Sequence, residues 1–409
     1  MRAVVINTGT ELLLGDVLNS HLSFIAREIF PLGLRIERQA TVPDGDAIRD
    51  AIAESLGSVD IIFITGGLGP TTDDITREVT ADLLGLKLRH DPAILSAIEE
   101  RAARRGFRLT DRVARQADVP AGAAVLPNAH GSAPGLYLAA EPGTKRPHLF
   151  LLPGPPRELH PMFRDSVLPI LRGIVPAGKT TERRTFRIAG MGESLVEEAV
   201  GTQLLELPGL ELGYCARPGE MDLRLIGEEA VLDRAERIVR EKLGPAIFSS
   251  DGGDLEDAVV KLLTARRQTL AVAESCTGGY LAHRITNVPG ASAVLLAGYV
   301  TYSNEAKLAM LGVDPRLISE HGAVSEPVAR AMAEGARTNG QANLALATTG
   351  IAGPSGGTEE KPVGTVFIAL AAEGQLTKVE RRFFPDDRPT FKELTTQTAL
   401  EMLRRRLLD

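Results

Sequence analysis

The sequence contains no tryptophan, only two cysteines and no long apolar run. Cys215 and Cys276 are too few for a disulfide framework or a four-ligand zinc site. Aromatic residues make up 4% of the 409 residues, so stacking platforms for single-stranded nucleic acid are scarce. No run reaches the about 18 apolar residues typical of a spanning helix, and the N-terminal stretch becomes polar after six residues. We therefore expect a cytoplasmic protein that has neither a signal peptide nor a membrane segment.

Positive charge is also in short supply. The net charge of −7 provides no broad basic field for phosphate backbones, so nucleic acid is not expected as a partner. The chain does have a globular balance, with 44% hydrophobic and 24% charged residues. Its length exceeds one ordinary core and predicts about two to three domains.

The first domain is predicted over residues 1–175. Short β-branched runs there alternate with amphipathic stretches, and "AVVINTG", "DIIFITGG" and "HLFLLPG" each end in a turn that contains glycine. Such alternation indicates βα units around a mostly parallel sheet. The glycine turns would lie at the carboxyl ends of the strands, where open α/β sheets bind ligands.

Two further domains follow a Pro- and Gly-containing, basic segment near residue 175. Residues 176–250 predict a small α+β unit with strands in "ERRTFRIAG" and "LELGYCARPGEMDLRLIG". Residues 251–409 predict an α/β unit that begins with a helix capped by Asp254 and ends with the amphipathic helix "FKELTTQTALEMLRRRLLD". The overall class is therefore α/β.

A first candidate site lies in "TGGLGPTTDD", residues 65–74, between a strand and a helix. Its glycines allow close backbone approach, and the helix that follows offers free N–H groups to an anion such as phosphate. Asp73 and Asp74 would lie in the first helical turn. They could complement the helix dipole or bind a hard divalent cation, and the residues alone leave both possibilities open.

Two other loops are expected at the same edge of the sheet. "NTGTELLLGD" brings Glu11 and Asp16, and "LLPGPPRELH" brings Arg157 and Glu158. Carboxylates around a phosphate loop suit metal-assisted attack of water on a pyrophosphate. A site that only binds its ligand would use the same groups, so this alternative also stays open.

The N-terminal motifs "TGGLGPTTDD", "NAHGSAPG" and "LPGPPRE" resemble the molybdopterin-binding-like domain of the CinA family of competence/damage-inducible proteins. The resemblance implies ADP-ribose pyrophosphatase activity that depends on a divalent metal and is helped by K⁺. It also implies a set of phosphate-binding and metal-binding residues. The phosphate-binding residues are Gly66, Gly67, Gly69, Thr71 and Asn128, and the metal ligands are Asp73, Asp74, Glu11 and Glu158.

The chain departs from the family pattern in both of its first two domains. Asp16 replaces the usual Gln and Thr72 the usual Lys, which changes the charge beside the phosphate site. The middle unit resembles the KH-like linker of the same family. Its "GMGES" lacks the basic GXXG loop that grips nucleic-acid backbones, so we interpret it as a structural linker.

A second candidate site lies in "AESCTGG", where Ser275 and Cys276 are expected at a strand-to-helix turn. Hydrolysis of an amide without metal needs an activated nucleophile and an oxyanion hole. The N–H groups of Thr277, Gly278 and Gly279 would open the next helix and point towards the oxyanion. A helix N-terminus would also favour a thiolate at Cys276, so the segment alone does not choose the nucleophile.

The base that would activate this nucleophile is open as well. His283 is expected to be a packed or surface residue, and His321 to lie at a helix end. Lys307 would lie near the start of a helix beside a strand end. It is either a solvated residue or, if buried, a base with a lowered pKa.

Four ordered motifs, "AESCTGG", "TYSNEAKLAMLGV", "HGAVSEPVA" and "TGIAGPSGGTEEKPVGTV", resemble the nicotinamide-nucleotide amidase domain of CinA. The resemblance implies hydrolysis of nicotinamide mononucleotide to nicotinate mononucleotide and ammonia, without a cofactor at this site. It implies a dyad of Ser275 and Lys307, supported by Tyr302, and a homodimer. The implied substrate-binding residues are Thr277, Gly278, Gly279, Thr348, Thr349, Gly350 and the loop that begins at Gly353.

A hypothesis of a different class is a non-catalytic protein. The N-terminal domain would then bind a pterin or act as a scaffold, and a role linked to competence or DNA damage would come from protein contacts. Release of AMP from ADP-ribose would separate this hypothesis from the enzymatic one.

Overall fold

A computed structural model of the chain describes residues 1–106, 110–144, 146–176 and 181–409. The chain forms two compact units, Met1–Thr181 and Glu182–Asp409. No helix among the described residues has the length and apolarity needed to cross a bilayer.

The first unit is built on a six-stranded sheet with the strand order β2-β1-β3-β8-β7-β6. β2, β1, β3 and β8 are parallel, whereas β6 and β7 run antiparallel, which confirms the predicted mostly parallel sheet. β4 and β5 form a separate antiparallel pair. The strands are β1 Arg2–Thr8, β2 Arg35–Val42, β3 Ile61–Thr65, β4 Leu88–His90, β5 Asp118–Pro120, β6 Ala124–Leu126, β7 Gly135–Leu138 and β8 His148–Leu152.

Helices pack on both faces of this sheet, so its central strands are buried on both sides. Val5 of β1 packs with Phe63 and Phe150 on one face, and its neighbour Ile6 packs with Ile62 on the other. The helices are α1 Thr10–Leu14, α2 His21–Ile29, α3 Ala47–Ser55, α4 Thr76–Leu83, α5 Pro92–Arg105, α6 Asp111–Ala114, α7 Pro156–Met162 and α8 Leu168–Ile174. A π-helical turn, Phe163–Val167, joins α7 to α8, and 3-10 turns span Phe30–Leu32 and Arg115–Ala117.

The second unit begins with the predicted small α+β fold. Its antiparallel sheet has the order β10-β11-β9-β12 and is covered by helices. The strands are β9 Glu182–Ala189, β10 Glu211–Arg217, β11 Glu220–Gly227 and β12 Ile247–Ser249. The helices are α9 Glu193–Val196, α10 Thr202–Leu205 and α11 Glu229–Leu243, with a π-helical turn over Glu197–Gly201 and a 3-10 turn over Gly244–Ala246.

The rest of the second unit is a five-stranded sheet with the order β14-β13-β15-β16-β17. β14, β13 and β15 are parallel, and β16 and β17 are antiparallel. The strands are β13 Leu270–Glu274, β14 Leu295–Val300, β15 Leu344–Gly350, β16 Thr365–Ala372 and β17 Lys378–Phe383. The helices are α12 Leu255–Arg266, α13 Tyr280–Thr286, α14 Asn304–Leu311, α15 Pro315–His321, α16 Glu326–Asn339 and α17 Arg388–Leu408, with a 3-10 turn over Ala291–Ala293.

Polar contacts join the two parts of the second unit. Arg284 of α13 pairs with Glu256 of α12 at 2.6 Å and donates to Gln397 Oε1 of α17 at 2.7 Å. Gln397 Nε2 in turn donates to Glu220 Oε2 of β11 at 2.9 Å. The helix that follows the Ser275 turn is thereby connected to the middle sheet. Asp254 caps α12 as predicted, with Asp257 completing a capping box.

Candidate functional site

The Ser275 turn lies at the carboxyl end of β13, between the ends of two parallel neighbours. Glu274 pairs with Val300 of β14 on one side and with Thr348 of β15 on the other. The Ser275 N–H donates to the Thr348 carbonyl at 3.0 Å, and the Thr301 N–H donates to the Glu274 carbonyl at 2.8 Å. The sheet therefore brings the ends of three of the predicted motifs to one place.

Glu274 determines which N–H groups of this turn are free. The carboxylate is fully buried and accepts from the N–H groups of Gly279 at 3.0 Å, Leu281 at 3.0 Å and Ala282 at 2.8 Å. The Gly278 N–H donates to the Ser275 carbonyl at 3.2 Å. The N–H groups of Gly278 and Gly279 are therefore already hydrogen-bonded, and the prediction that they face an oxyanion is wrong.

Two other donors remain in the turn. Among the described residues, the N–H groups of Cys276 and Thr277 donate to no main-chain carbonyl. The Thr277 side chain is buried, and its hydroxyl shares a 2.8 Å hydrogen bond with that of Thr348. Thr277 alone of the three predicted donors therefore keeps a free N–H, and Cys276 provides a second one.

The Cys276 thiol belongs to the hydrophobic core. It is packed in the cluster that contains Leu281 and Ile285, and burial raises its pKa to about 12. This differs from the expectation that the helix N-terminus favours a thiolate. A thiol that stays protonated at neutral pH is a poor nucleophile.

Lys307 is buried, with 1% of its surface exposed, so it is not a solvated helix residue. Its Nζ donates to the main-chain carbonyls of Thr301 at 2.9 Å, Tyr302 at 3.3 Å and Ser303 at 3.4 Å. Burial lowers the pKa of the ammonium group, and the nearby Cys276 and Glu305 oppose this effect. Lys307 therefore loses its proton more readily than an exposed lysine, as a general base requires.

Tyr302 is arranged differently from the other predicted catalytic residues. Its side chain is 62% exposed, and its hydroxyl accepts a hydrogen bond from Arg388 at 2.9 Å. The hydrogen bond from Lys307 goes to the Tyr302 carbonyl and not to its hydroxyl. Arg388 also donates to the Gly353 carbonyl at 3.0 Å, so it links the tyrosine to the second glycine loop.

The remaining predicted substrate residues surround the end of β15. The Thr348 and Thr349 side chains are buried, and the Thr349 hydroxyl donates to the Ala323 carbonyl at 2.8 Å. Gly350 is partly exposed at the last position of β15, opposite Val366. His283 and His321 lie on exposed helical positions, as expected for residues outside the site.

Two cations that sequence reasoning missed are Lys392, near this turn, and Arg388, beside the second glycine loop. Both lie in the first part of α17. Lys392 Nζ is 4.0 Å from the point where a Cβ on Gly278 would lie, and 5.8 Å from the centre of the Tyr280 ring. Their position far along the chain from "AESCTGG" left no local signal in the sequence.

The first unit has its own cavity, of about 370 Å³, at the carboxyl ends of β1, β3 and β8. The glycine loop lines it, and Gly66 and Gly67 adopt positive φ of 97° and 68°. A Cβ on Gly66 would collide with the Thr8 side chain. Within the described residues, the N–H groups of Gly67, Leu68 and Gly69 have no partner, which suits binding of an anion.

All the predicted phosphate and metal residues except Asn128 line this cavity. Asp73 and Asp74 precede α4, which begins at Thr76, and so do not lie in its first turn as expected. Thr71 donates to Asp74 through its N–H at 2.9 Å and also through its hydroxyl, and hydrogen bonding lowers the pKa of the exposed Asp73. Asn128 Nδ2 donates to Glu158 Oε2 at 2.9 Å. The predicted ligands that line the cavity are Glu11, Asp73, Asp74 and Glu158, joined by Asp44, which sequence reasoning missed.

Whether these carboxylates can bind a metal ion by themselves depends on how closely they cluster. No three Asp, Glu, His or Cys groups within the described ranges are close enough to hold a metal ion together. Magnesium is commonly bound by one or two carboxylates together with substrate phosphates. Carboxylates spaced around a phosphate loop fit this mode, in which the protein provides one or two ligands and the substrate phosphates provide others.

Comparisons with known proteins match all three domains in the same order. The "Probable molybdopterin binding domain" model matches residues 4–173, the "Damage-inducible protein CinA KH domain" model residues 183–249, and the "CinA C-terminal domain" model residues 253–407. A "CinA-like protein" from Akkermansia muciniphila is 45% identical, over 98% of this chain and 96% of its own length. The chain belongs to the CinA family.

A second relative matches over the whole chain, and a solved structure matches part of it. A "Putative competence-damage inducible protein" from Moorella thermoacetica is 44% identical to this chain, over 100% of it and 99% of its own length. The crystal structure of the competence/damage inducible protein CihA from Agrobacterium tumefaciens is 41% identical and covers 39% of this CinA-family chain and 99% of its own, with a TM-score of 0.37.

Proposed function

We propose that this CinA-family protein is a bifunctional pyridine-nucleotide salvage enzyme. Its C-terminal site would hydrolyse nicotinamide mononucleotide to nicotinate mononucleotide and ammonia. The observation that carries this proposal is Lys307, a buried lysine whose described hydrogen-bond partners are all main-chain carbonyls. Burial of an ammonium group without a carboxylate hydrogen-bond partner costs stability, so a functional role is a reason to retain it.

In the proposed mechanism Ser275 is the nucleophile. Its Oγ attacks the carboxamide carbon while neutral Lys307 takes the hydroxyl proton, after exchanging one carbonyl partner for Ser275 Oγ. The N–H groups of Cys276 and Thr277 stabilise the oxyanion. Protonated Lys307 then gives its proton to the departing nitrogen as the C–N bond breaks and ammonia leaves. Water hydrolyses the acyl-enzyme, with Lys307 again as base, and regenerates Ser275.

The substrate's phosphate would lie towards Arg388 and Lys392. Both cations lie near the Ser275 turn or the second glycine loop, and cationic side chains are the usual partners of phosphate monoesters. Thr348, Thr349, Gly350 and the loop at Gly353 would contact the amide and ribose.

The N-terminal site would hydrolyse ADP-ribose to AMP and ribose 5-phosphate. The free N–H groups of Gly67, Leu68 and Gly69 support binding of the diphosphate. One or two of the carboxylates Asp73, Asp74, Glu11 and Glu158 would hold a divalent cation that arrives with the substrate and neutralises phosphate charge. K⁺ would assist, and we propose that the protein works as a homodimer in the cytoplasm.

Substitutions of Ser275, Cys276 and Lys307 test the amidase proposal. Ser275→Ala and Lys307→Met should each remove nearly all release of ammonia, and the double variant should be scarcely worse than either, because the two residues act as a unit. Cys276→Ala is the matched control and should keep most of the activity. An inactive Cys276→Ala with an active Ser275→Ala would make the thiol the nucleophile.

The same variants test the N-terminal proposal. Release of AMP from ADP-ribose should persist in Ser275→Ala, because the two reactions use different units. Absence of AMP release from wild-type protein would favour the pterin-binding or scaffold hypothesis for the N-terminal domain.

A further inference from the structure

Two buried polar atoms in the N-terminal cavity have no partner among the residues that the structure describes. They are Thr8 Oγ1 and Gln116 Oε1. Thr8 is 6% exposed and Gln116 is 1% exposed, and both line the cavity of about 370 Å³ that the glycine loop also lines. A buried polar group without a partner costs about 1 to 3 kcal/mol, and a ligand group bound in the cavity would supply the missing partner.

The position of Gln116 fixes what its oxygen can recognise. The residue lies in the 3-10 turn Arg115–Ala117, and its Nε2 donates to the Leu68 carbonyl in the middle of the glycine loop at 3.3 Å. Because a carbonyl only accepts, the amide nitrogen must face Leu68, and Oε1 is the atom left for the cavity. Gln116 therefore presents an acceptor beside the loop.

An acceptor cannot bind a phosphate, whose oxygens are acceptors themselves at neutral pH. The phosphate must contact donors, and the free N–H groups of Gly67, Leu68 and Gly69 supply them. The Thr8 hydroxyl, which lies against Gly66, can donate as well. Gln116 Oε1 therefore needs a different part of the ligand, one that carries a hydrogen-bond donor.

We infer that Gln116 recognises a sugar hydroxyl next to the phosphate that the glycine loop binds, and that Thr8 donates to this phosphate. The inference rests on the proposed function, in which the N-terminal ligand is a phosphorylated ribose. It makes Gln116 a specificity-determining residue, which distinguishes a sugar phosphate from a bare phosphate.

Binding of two probes by the full-length protein tests this inference. Ribose 5-phosphate carries both the phosphate and the hydroxyls, whereas inorganic phosphate carries no sugar. Titration calorimetry of wild-type protein should show tighter binding of ribose 5-phosphate. Gln116→Met, which keeps the side-chain length, should weaken ribose 5-phosphate binding about tenfold and leave inorganic phosphate binding within about twofold.

Thr8→Val is the matched comparison because it removes only a hydroxyl and keeps the side-chain shape. It should weaken binding of both probes. If Gln116→Met weakens both probes alike, the residue only supports the loop through Leu68, and the inference is wrong. Unchanged ribose 5-phosphate binding in Gln116→Met would equally overturn it.

Two further measurements distinguish this inference from a role of Gln116 in metal binding and from the proposed pyrophosphatase activity. The titrations are repeated with chelator, since a bound cation could also satisfy a carbonyl oxygen; a sugar preference that disappears with chelator would overturn the inference. ADP-ribose turnover is measured separately. A chain that shows the predicted binding pattern without turnover would retain the role of Gln116 and refute the pyrophosphatase proposal.

Discussion

Replacing Glu274 by Gln changes one atom of the Ser275 turn and should loosen the whole turn. The carboxylate accepts three main-chain N–H bonds at the start of α13, two through Oε2 and one through Oε1. A Gln side chain has one acceptor oxygen, which can keep the bonds from Gly279 and Leu281. Its NH₂ group then faces the N–H of Ala282, and that donor is left without a partner.

The cost follows from these three bonds. An unsatisfied buried donor costs about 1 to 3 kcal/mol, and the two remaining bonds each lose about 1 kcal/mol when the acceptor loses its charge. We therefore expect Glu274→Gln to destabilise this part of the fold by about 3 to 5 kcal/mol. Glu274→Ala should cost more, since all three donors lose their acceptor and a cavity forms.

Hydrogen exchange followed by mass spectrometry measures this effect locally. Peptides that cover Cys276 to Thr286 should exchange at least about 150-fold faster in Glu274→Gln, which corresponds to a loss of about 3 kcal/mol or more at the affected amides. Glu373→Gln is the control, since Glu373 is exposed in the same unit and its side chain should not affect these amides. Deamidation of nicotinamide mononucleotide should lose kcat in Glu274→Gln because the nucleophile is no longer held in place.

The exchange data can refute the argument regardless of activity. If the α13 amides exchange at the wild-type rate in Glu274→Gln, the three hydrogen bonds do not hold the turn. If they exchange faster but kcat is unchanged, the turn is held by Glu274 without any effect on catalysis, and the positioning role is wrong.

Other predictions concern the proton, the cation and the assembly. Burial lowers the pKa of Lys307, so near that pKa the folded state binds fewer protons than the unfolded state. The stability of wild type relative to Lys307→Met should therefore rise with pH up to the ordinary lysine pKa. A stability difference that does not change with pH in denaturation experiments would contradict a buried, titrating Lys307. Deamidation should likewise rise with pH as Lys307 becomes neutral. Chelator should abolish AMP release from ADP-ribose and spare ammonia release, and equal loss of both would refute the two mechanisms. Asp74→Asn should lower turnover of ADP-ribose at a stability cost of only about 1 kcal/mol, whereas a large drop in Tm with unchanged activity would make Asp74 structural. Sedimentation should show a species of twice the chain mass; a single species of 43.7 kDa at all concentrations would exclude the homodimer.

The parts of the fold that could be predicted from sequence are those with a local signal. The glycine turns after β1, β3 and β13 follow apolar runs, so both their type and their place at the sheet edge were predictable. β2 and β17 were not predicted, because these edge strands are rich in exposed charged residues and lack an apolar alternation. Edge strands commonly carry such charges, which interrupt the apolar alternation that identifies a strand in a sequence.

The candidate sites divide in the same way. Ser275 and the glycine loop at Gly66 come from local motifs, whereas the contact of Gln116 with Leu68 joins residues 48 positions apart. Whether Gly279 has a free N–H depends on where the Glu274 side chain turns, and a helix start in a sequence pattern does not contain this information. The contacts of Arg388 with Tyr302 and Gly353 likewise depend on how α17 packs.

Unpartnered buried polar groups occur at each of the two candidate sites. Thr8 and Gln116 lie beside the N-terminal glycine loop, and the Thr301 hydroxyl is also buried without a partner among the described residues. Thr301 accepts from Lys307 through its carbonyl and donates to Glu274 through its N–H, so it directly adjoins the Ser275 turn. Each such group lowers the stability of the free protein by about 1 to 3 kcal/mol. Thr8 and Thr301 lie at the carboxyl ends of β1 and β14 and Gln116 in a 3-10 turn beside the glycine loop, so ligands bound at the two proposed sites would complete these hydrogen bonds.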